Sequence, residues 1–203
     1  MYFKESIREF KSGEFEQHKD LFESLSNEQH PHTLFITCSD SRVQPNMITQ
    51  TKPGELFMVR NIGNIVPKYH EKIGEYSTIS AIEYAVLVLG VENIIVCGHS
   101  NCGACAAIWK ENIQGKHVRM WLQQLDAVKR TVKICGFSDK PESERSVMTE
   151  RLGVKLQLKR LLRYPYVKER VEDGTLNIEG WWYDIKKGNI YIYDLKKDRF
   201  KKV

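Results

Sequence analysis

Cys38, His99 and Cys102 carry donor atoms that could share one task. Two thiolates and an imidazole suit a borderline-soft divalent ion, zinc above all, and three protein donors leave a fourth tetrahedral position open to water. An open position points to catalysis rather than to a structural clip. Asp40 and Arg42 follow the first cysteine at two-residue steps. A carboxylate there can accept a proton beside the metal, and a guanidinium two residues on can hold that carboxylate bidentately and keep it off the ion. Taken singly, each residue has a plainer explanation. A cysteine at a strand end is usually a small buried apolar group, and an ion pair in a loop is worth little. Their coincidence is what argues for a site. Two thiolates donate more negative charge than imidazoles do, so activity is expected to rise into mildly alkaline pH; a rate that stays flat from about pH 6 to about pH 9 counts against it.

Cys38 and His99 stand roughly sixty residues apart, so the fold must bring them together. Residues 33–37, 55–60 and 93–97 are apolar, β-branched runs without alternation, which reads as strands buried on both faces. Between the second and third, Ile79, Ile82, Ala85, Val86 and Leu89 recur at helical spacing, predicting a crossover helix over residues 74–89 that Gly90 ends. Strands separated by helices imply parallel βαβ units, and in open parallel sheets ligands bind beyond the carboxyl ends of the strands. Cys38 and His99 both leave the sheet at that edge. The His-x-x-Cys step falls in a strand-to-helix turn, where Gly98 and Gly103 permit a tight backbone.

Further helices are predicted around residues 104–111, 118–133 and 143–163, and residues 3–25 read as two amphipathic helices broken near Gly13. Residues 176–185 and 190–194, joined at Lys187-Gly188-Asn189, read as a closing hairpin. The expected fold class is therefore α/β: a mainly parallel central β-sheet with flanking helices and an antiparallel edge strand, at residues 190–194, from the C-terminal hairpin. One domain is expected over residues 1–203, with residues 1–26 as an N-terminal helical arm.

Composition narrows the function classes. The 203 residues are 41% apolar and 28% charged with only 6 prolines, which excludes collagen-like and disordered chains. The beginning lacks the apolar run of a signal peptide and no stretch is long enough to span a membrane, so a cytoplasmic protein without a membrane partner is expected. The net charge of +5 equals that of residues 186–203 alone, a cluster that reads as a solvated tail rather than a nucleic-acid site. Five cysteines cannot all pair, and in a reducing compartment metal ligation outranks a disulfide framework. Two rival readings follow from the thiols. One is a dithiol redox protein using Cys102 and Cys105, which form a Cys-x-x-Cys. The other is a zinc-stabilised binding module without catalysis, with four protein ligands.

Cys-x-Asp-Ser-Arg, followed about sixty residues on by His-x-x-Cys-Gly, resembles the β-class carbonic anhydrases, and among them the plant-like subgroup. The resemblance extends through Pro53-Gly54-Glu55, residues 60–64 and residues 81–86. It implies that Cys38, His99 and Cys102 bind one Zn2+ per chain, that Asp40 and Arg42 form a catalytic dyad, and that the reaction is reversible hydration of carbon dioxide to bicarbonate. It also implies substrate-binding roles for Gln29, Phe57, Ile62, Tyr84 and Gly103. Phe57, Ile62 and Tyr84 match the apolar wall of the pocket, while Gln29 matches a glutamine that reaches the partner subunit's site. Self-association as a dimer or tetramer is then expected, with the N-terminal helices packed on a neighbour. Val88 stands where some plant members have a proposed proton-passing histidine, which leaves Tyr84 or external buffer to carry protons. Phe35 stands where a bicarbonate-regulated bacterial subgroup has tryptophan, which argues against that regulation.

Overall fold

A computed structural model describes residues 3–69 and 76–203. Six strands form one sheet in the order β2-β1-β3-β4-β5-β6. They are β1 (Thr33–Cys38), β2 (Leu56–Asn61), β3 (Asn93–His99), β4 (Asn177–Asp184), β5 (Asn189–Asp194) and β6 (Arg199–Lys202). β1 to β4 pair in parallel, and the β4–β5 and β5–β6 pairings are antiparallel, so the predicted class holds. Side chains alternate across the sheet as strand geometry requires. Leu34, Ile36, Ile94 and Val96 enter one core cluster, while Phe35, Ile95 and Cys97 form a separate cluster with Trp181 and Tyr183.

Helices α1 (Lys4–Ser12), α2 (Glu14–Gln17) and α3 (Lys19–Ser24) precede the sheet, and α4 (Pro45–Thr49) connects β1 to β2. Helix α5 (Tyr76–Glu83) runs into a π-helical turn, Tyr84–Val88, before β3. Gly74, where the crossover helix was expected to begin, lies outside the described residues. Then come α6 (Gly103–Ala107), α7 (Lys116–Leu122), α8 (Asp126–Ile134), α9 (Glu142–Leu161) and α10 (Pro165–Glu172). Ile82, Ala85, Leu158, Leu161 and Val167 of these helices pack on the face presented by Leu34 and Ile36. No helix among the described residues is long and apolar enough to cross a membrane.

Three expectations change. β2 is not buried on both faces: it is the sheet edge, and Met58 is 46% exposed. Residues 190–194 are not the opposite edge, because β6 pairs beyond them and places Phe200 against Tyr193 at 5.3 Å. The basic end is thus partly an ordered strand whose lysines face solvent, an arrangement that blunts an exposed edge. The arm breaks at His18 as well as at Gly13, giving three short helices with no buried residue.

Candidate metal centre

Parallel pairing in register sets the site. Cys38 closes β1 and pairs with Asn61, and His99 closes β3 and pairs with Tyr183. Cys102 caps the start of α6 three residues after His99. The donor atoms of Cys38, His99 and Cys102 all lie within 4.8 Å of one another, with the two sulfurs 4.0 Å apart. All three residues are buried.

The group fits a metal on its own chemistry. The Nδ1–H of His99 donates to the Ser100 carbonyl at 3.0 Å, which leaves Nε2 as the lone-pair nitrogen. That Nε2 is buried and meets no hydrogen-bond partner among the described residues. A neighbouring thiol and burial push Cys38 up to about 12, and the Cys105 thiol and burial raise Cys102 further. Two thiols pressed together away from water resist ionising, and a bound divalent cation is what reverses that resistance.

Hydrogen bonds around the donors fix their directions. The Gly63 N–H donates to Cys38 Sγ at 3.4 Å; a Cβ at this residue, whose φ is +83°, would stand 2.9 Å from Ala104 Cβ. Arg60 donates to the carbonyls of Cys38 and Asp40, the latter at 2.8 Å. Trp121 Nε1 donates to the Ile62 carbonyl at 2.7 Å. Ser100 is tied to the end of β4 twice: its N–H donates to the Tyr183 carbonyl, and its hydroxyl oxygen accepts from the N–H of Ile185, just past the strand.

Asp40 and Arg42 meet as the spacing implies. Arg42 Nε donates to Asp40 Oδ1 at 2.9 Å and Nη2 to Oδ2 at 2.8 Å, and the Arg42 backbone N–H adds a third bond at 3.0 Å. This clamp holds the Asp40 carboxyl well below the usual carboxylate range. Arg42 Nη2 also donates to the Asn101 carbonyl at 3.1 Å, joining the β1 loop to the β3 loop. Asp40 Oδ2 rests 3.8 Å from His99 Nε2.

The predicted pocket residues divide. Ile62 lines a cleft of about 620 Å³ together with Ser39, Arg60, Thr78 and Trp121. Gly103 is exposed, with nothing within 4 Å of where a Cβ would stand. Phe57 and Tyr84 meet as tilted rings with centroids 5.9 Å apart, but Phe57 pairs with Leu34, toward the other end of β1 from Cys38. Gln29 precedes β1 and is exposed, also beyond the strand end opposite Cys38. Within one chain, then, these three do not join the donors. Cys102 and Cys105 are 1% and 5% exposed, which leaves the Cys-x-x-Cys pair closed to a partner disulfide.

Sequence reasoning missed Glu150 and Trp182. Glu150 accepts from the Cys102 N–H at 3.1 Å and from Trp182 Nε1 at 3.0 Å. One weak signal existed: an acid in the interior of an amphipathic helix, at a position its core-facing neighbours share.

Known proteins resemble the chain along most of its length. A family model described as carbonic anhydrase matches residues 33–190. The carbonic anhydrase of Helicobacter pylori strain J99 is 44% identical over 200 residues, covering 96% of this chain and 90% of the relative. The solved β-carbonic anhydrase CcaA superposes with a TM-score of 0.91 at 39% identity, covering 98% of this chain and 89% of that one. One of two tetrameric β-carbonic anhydrases from the ascomycete Sordaria macrospora gives 0.84 at 30% identity, covering 100% and 95%. With the donor triad at the strand ends and likeness along nearly its whole length, the chain belongs to the β-carbonic anhydrase family.

Proposed function

We propose that this protein is a zinc enzyme that hydrates carbon dioxide reversibly to bicarbonate and a proton. The observation that carries the reading is the buried Cys38–His99–Cys102 cluster, with its orphaned His99 Nε2, beside a carboxylate clamped by Arg42. Zinc held by these three donors supplies Lewis acidity that makes water a nucleophile near neutral pH.

The chain's own residues do the rest. Asp40, kept ionised by Arg42, accepts a hydrogen bond at Oδ2 from the nucleophile and so orients the attacking oxygen. Arg42 also keeps Asp40 from turning onto the metal, because three hydrogen bonds must break before it can swing. Ile62, with Val59, Ala81 and Trp121 in the same cleft, offers an apolar patch to a small uncharged gas, and the open space over Gly103 admits it. Gln29, Phe57 and Tyr84 act in the partner's site, which makes a dimer the smallest complete unit. The Sordaria macrospora relatives are tetramers, and a tetramer here is a pair of such dimers. Reduced thiol ligands suit the cytoplasm.

Stopped-flow carbon dioxide hydration tests this reading, with zinc measured on the same samples of wild type and Asp40→Ala. Wild type is expected to bind one zinc per chain and to turn over, while Asp40→Ala keeps its zinc and loses about 100-fold or more in rate. Full zinc occupancy without hydration by wild type sinks the catalytic claim.

A further inference from the structure

Glu150 lies in the interior of α9 and is 2% exposed. A buried carboxylate is costly unless its oxygens are satisfied, and an apolar residue of similar size often packs as well. The hydrogen bonds to Glu150 come from neutral donors, and the neighbouring Arg151 guanidinium acts on it only through space. Oε1 accepts from the Cys102 N–H at 3.1 Å and the Ser146 hydroxyl at 2.8 Å, and Oε2 accepts from Trp182 Nε1 at 3.0 Å. Ser146 lies on the same helix and Trp182 on β4, so only the bond to Cys102 reaches the metal-donor loop.

The helix that carries Glu150 is seated closely. A Cβ at Gly98 would stand 2.8 Å from Val154 Cγ2, and one at Gly180 would stand 2.7 Å from Val154 Cγ1. Two glycines, one on β3 and one on β4, thus let α9 approach the sheet backbone. Val154 is one helical turn beyond Glu150, so the same approach sets the carboxylate against the loop that follows β3.

We propose that Glu150 is the positioning residue of the metal centre: by accepting the Cys102 N–H it fixes the direction of the Cys102 thiolate and so sets metal affinity. The inference rests on the zinc reading of the site. It assigns Glu150 no contact with substrate.

Two variants in a Trp182→Phe background separate positioning from mere packing. Glu150→Gln keeps an amide oxygen for the Cys102 N–H and Ser146, and its NH2 no longer faces an indole N–H. Glu150→Met has similar size but offers only a weak thioether acceptor. The zinc dissociation constant, read by chelator competition, is expected to rise at least about tenfold for the Met variant over the Gln variant. The thiolate charge-transfer band of the cobalt(II) form is expected to shift only in the Met variant. Equal zinc affinities and identical cobalt spectra overturn the proposal. Should the Met variant not fold, zinc-loaded wild type labelled with 15N at its 5 cysteines gives an independent test. The Cys102 amide proton, donated to a carboxylate, is expected well downfield, and an unshifted signal overturns the proposal without any variant. Wild type that binds no zinc overturns the metal reading itself, a result distinct from equal affinities in two zinc-binding variants.

Discussion

The donor atoms beyond β1 and β3 sit in a buried shell tied by hydrogen bonds to β4, α9 and the Ile62 loop, whereas the β2 edge, the π turn and the N-terminal arm end in outward apolar side chains. His99 is 0% exposed, but Leu87 and Val88 are 58% and 65% exposed, and Phe3 and Ile7 on the arm are 65% and 63%. Exposed apolar groups this numerous are the surface that the proposed second copy would cover. The difference separates two jobs. One chain suffices to gather metal donors, and the apolar wall with Gln29 needs a second copy, as proposed above.

Changing a donor strikes the finished side hardest. His99→Ala is expected to lose zinc and to lower hydration at least about 100-fold, more than loss of a supporting group costs; metal analysis beside stopped-flow assays checks this. Hydration that persists without His99 breaks the division at its root. Next in size, Arg42→Gln keeps all three donors but frees Asp40, so zinc should stay bound while hydration falls about 10- to 100-fold. A normal rate in that variant removes Arg42 from the mechanism.

Val88→Asp tests the open side. A charge on a covered apolar surface is costly to bury, so sedimentation velocity should show the dimer weakened at least about tenfold, with zinc content per chain unchanged. Unchanged assembly together with full activity says that the exposed face is not where the copies meet. The smallest effect is expected from Cys105→Ala: zinc and hydration within about twofold of wild type and stability lower by about 1 kcal/mol, read by chemical denaturation. Loss of zinc from this variant instead makes Cys105 part of the donor set and reopens the dithiol reading.

The donors were legible in the sequence because Cys38 and His99 close strands and the His-x-x-Cys spacing puts Cys102 in the turn that follows, so local apolar runs say which edge they share. Asp40 and Arg42 were legible for the same reason, being two residues apart in one loop. β6 was not. Arg199, Lys201 and Lys202 look like a solvated tail, and they form a strand because β5 presents an unpaired edge and Phe200 finds Tyr193. Glu150 was nearly hidden too, since its place on the core-facing side of the helix is a weak signal and does not name the loop 48 residues earlier that it meets.

Sequence by itself named the candidate donors, the α/β class and the sheet edge at which those donors gather, because side-chain periodicity and ligand chemistry are properties of short segments. Only the tertiary structure decided that β2 is an edge and that α9 presses Glu150 against Cys102. It also decided that Gln29 and Phe57 lie toward the strand end opposite their own donors. Those outcomes depend on how separate elements pack, through close approaches at Gly98 and Gly180 and through the order of the strands, which no single segment encodes.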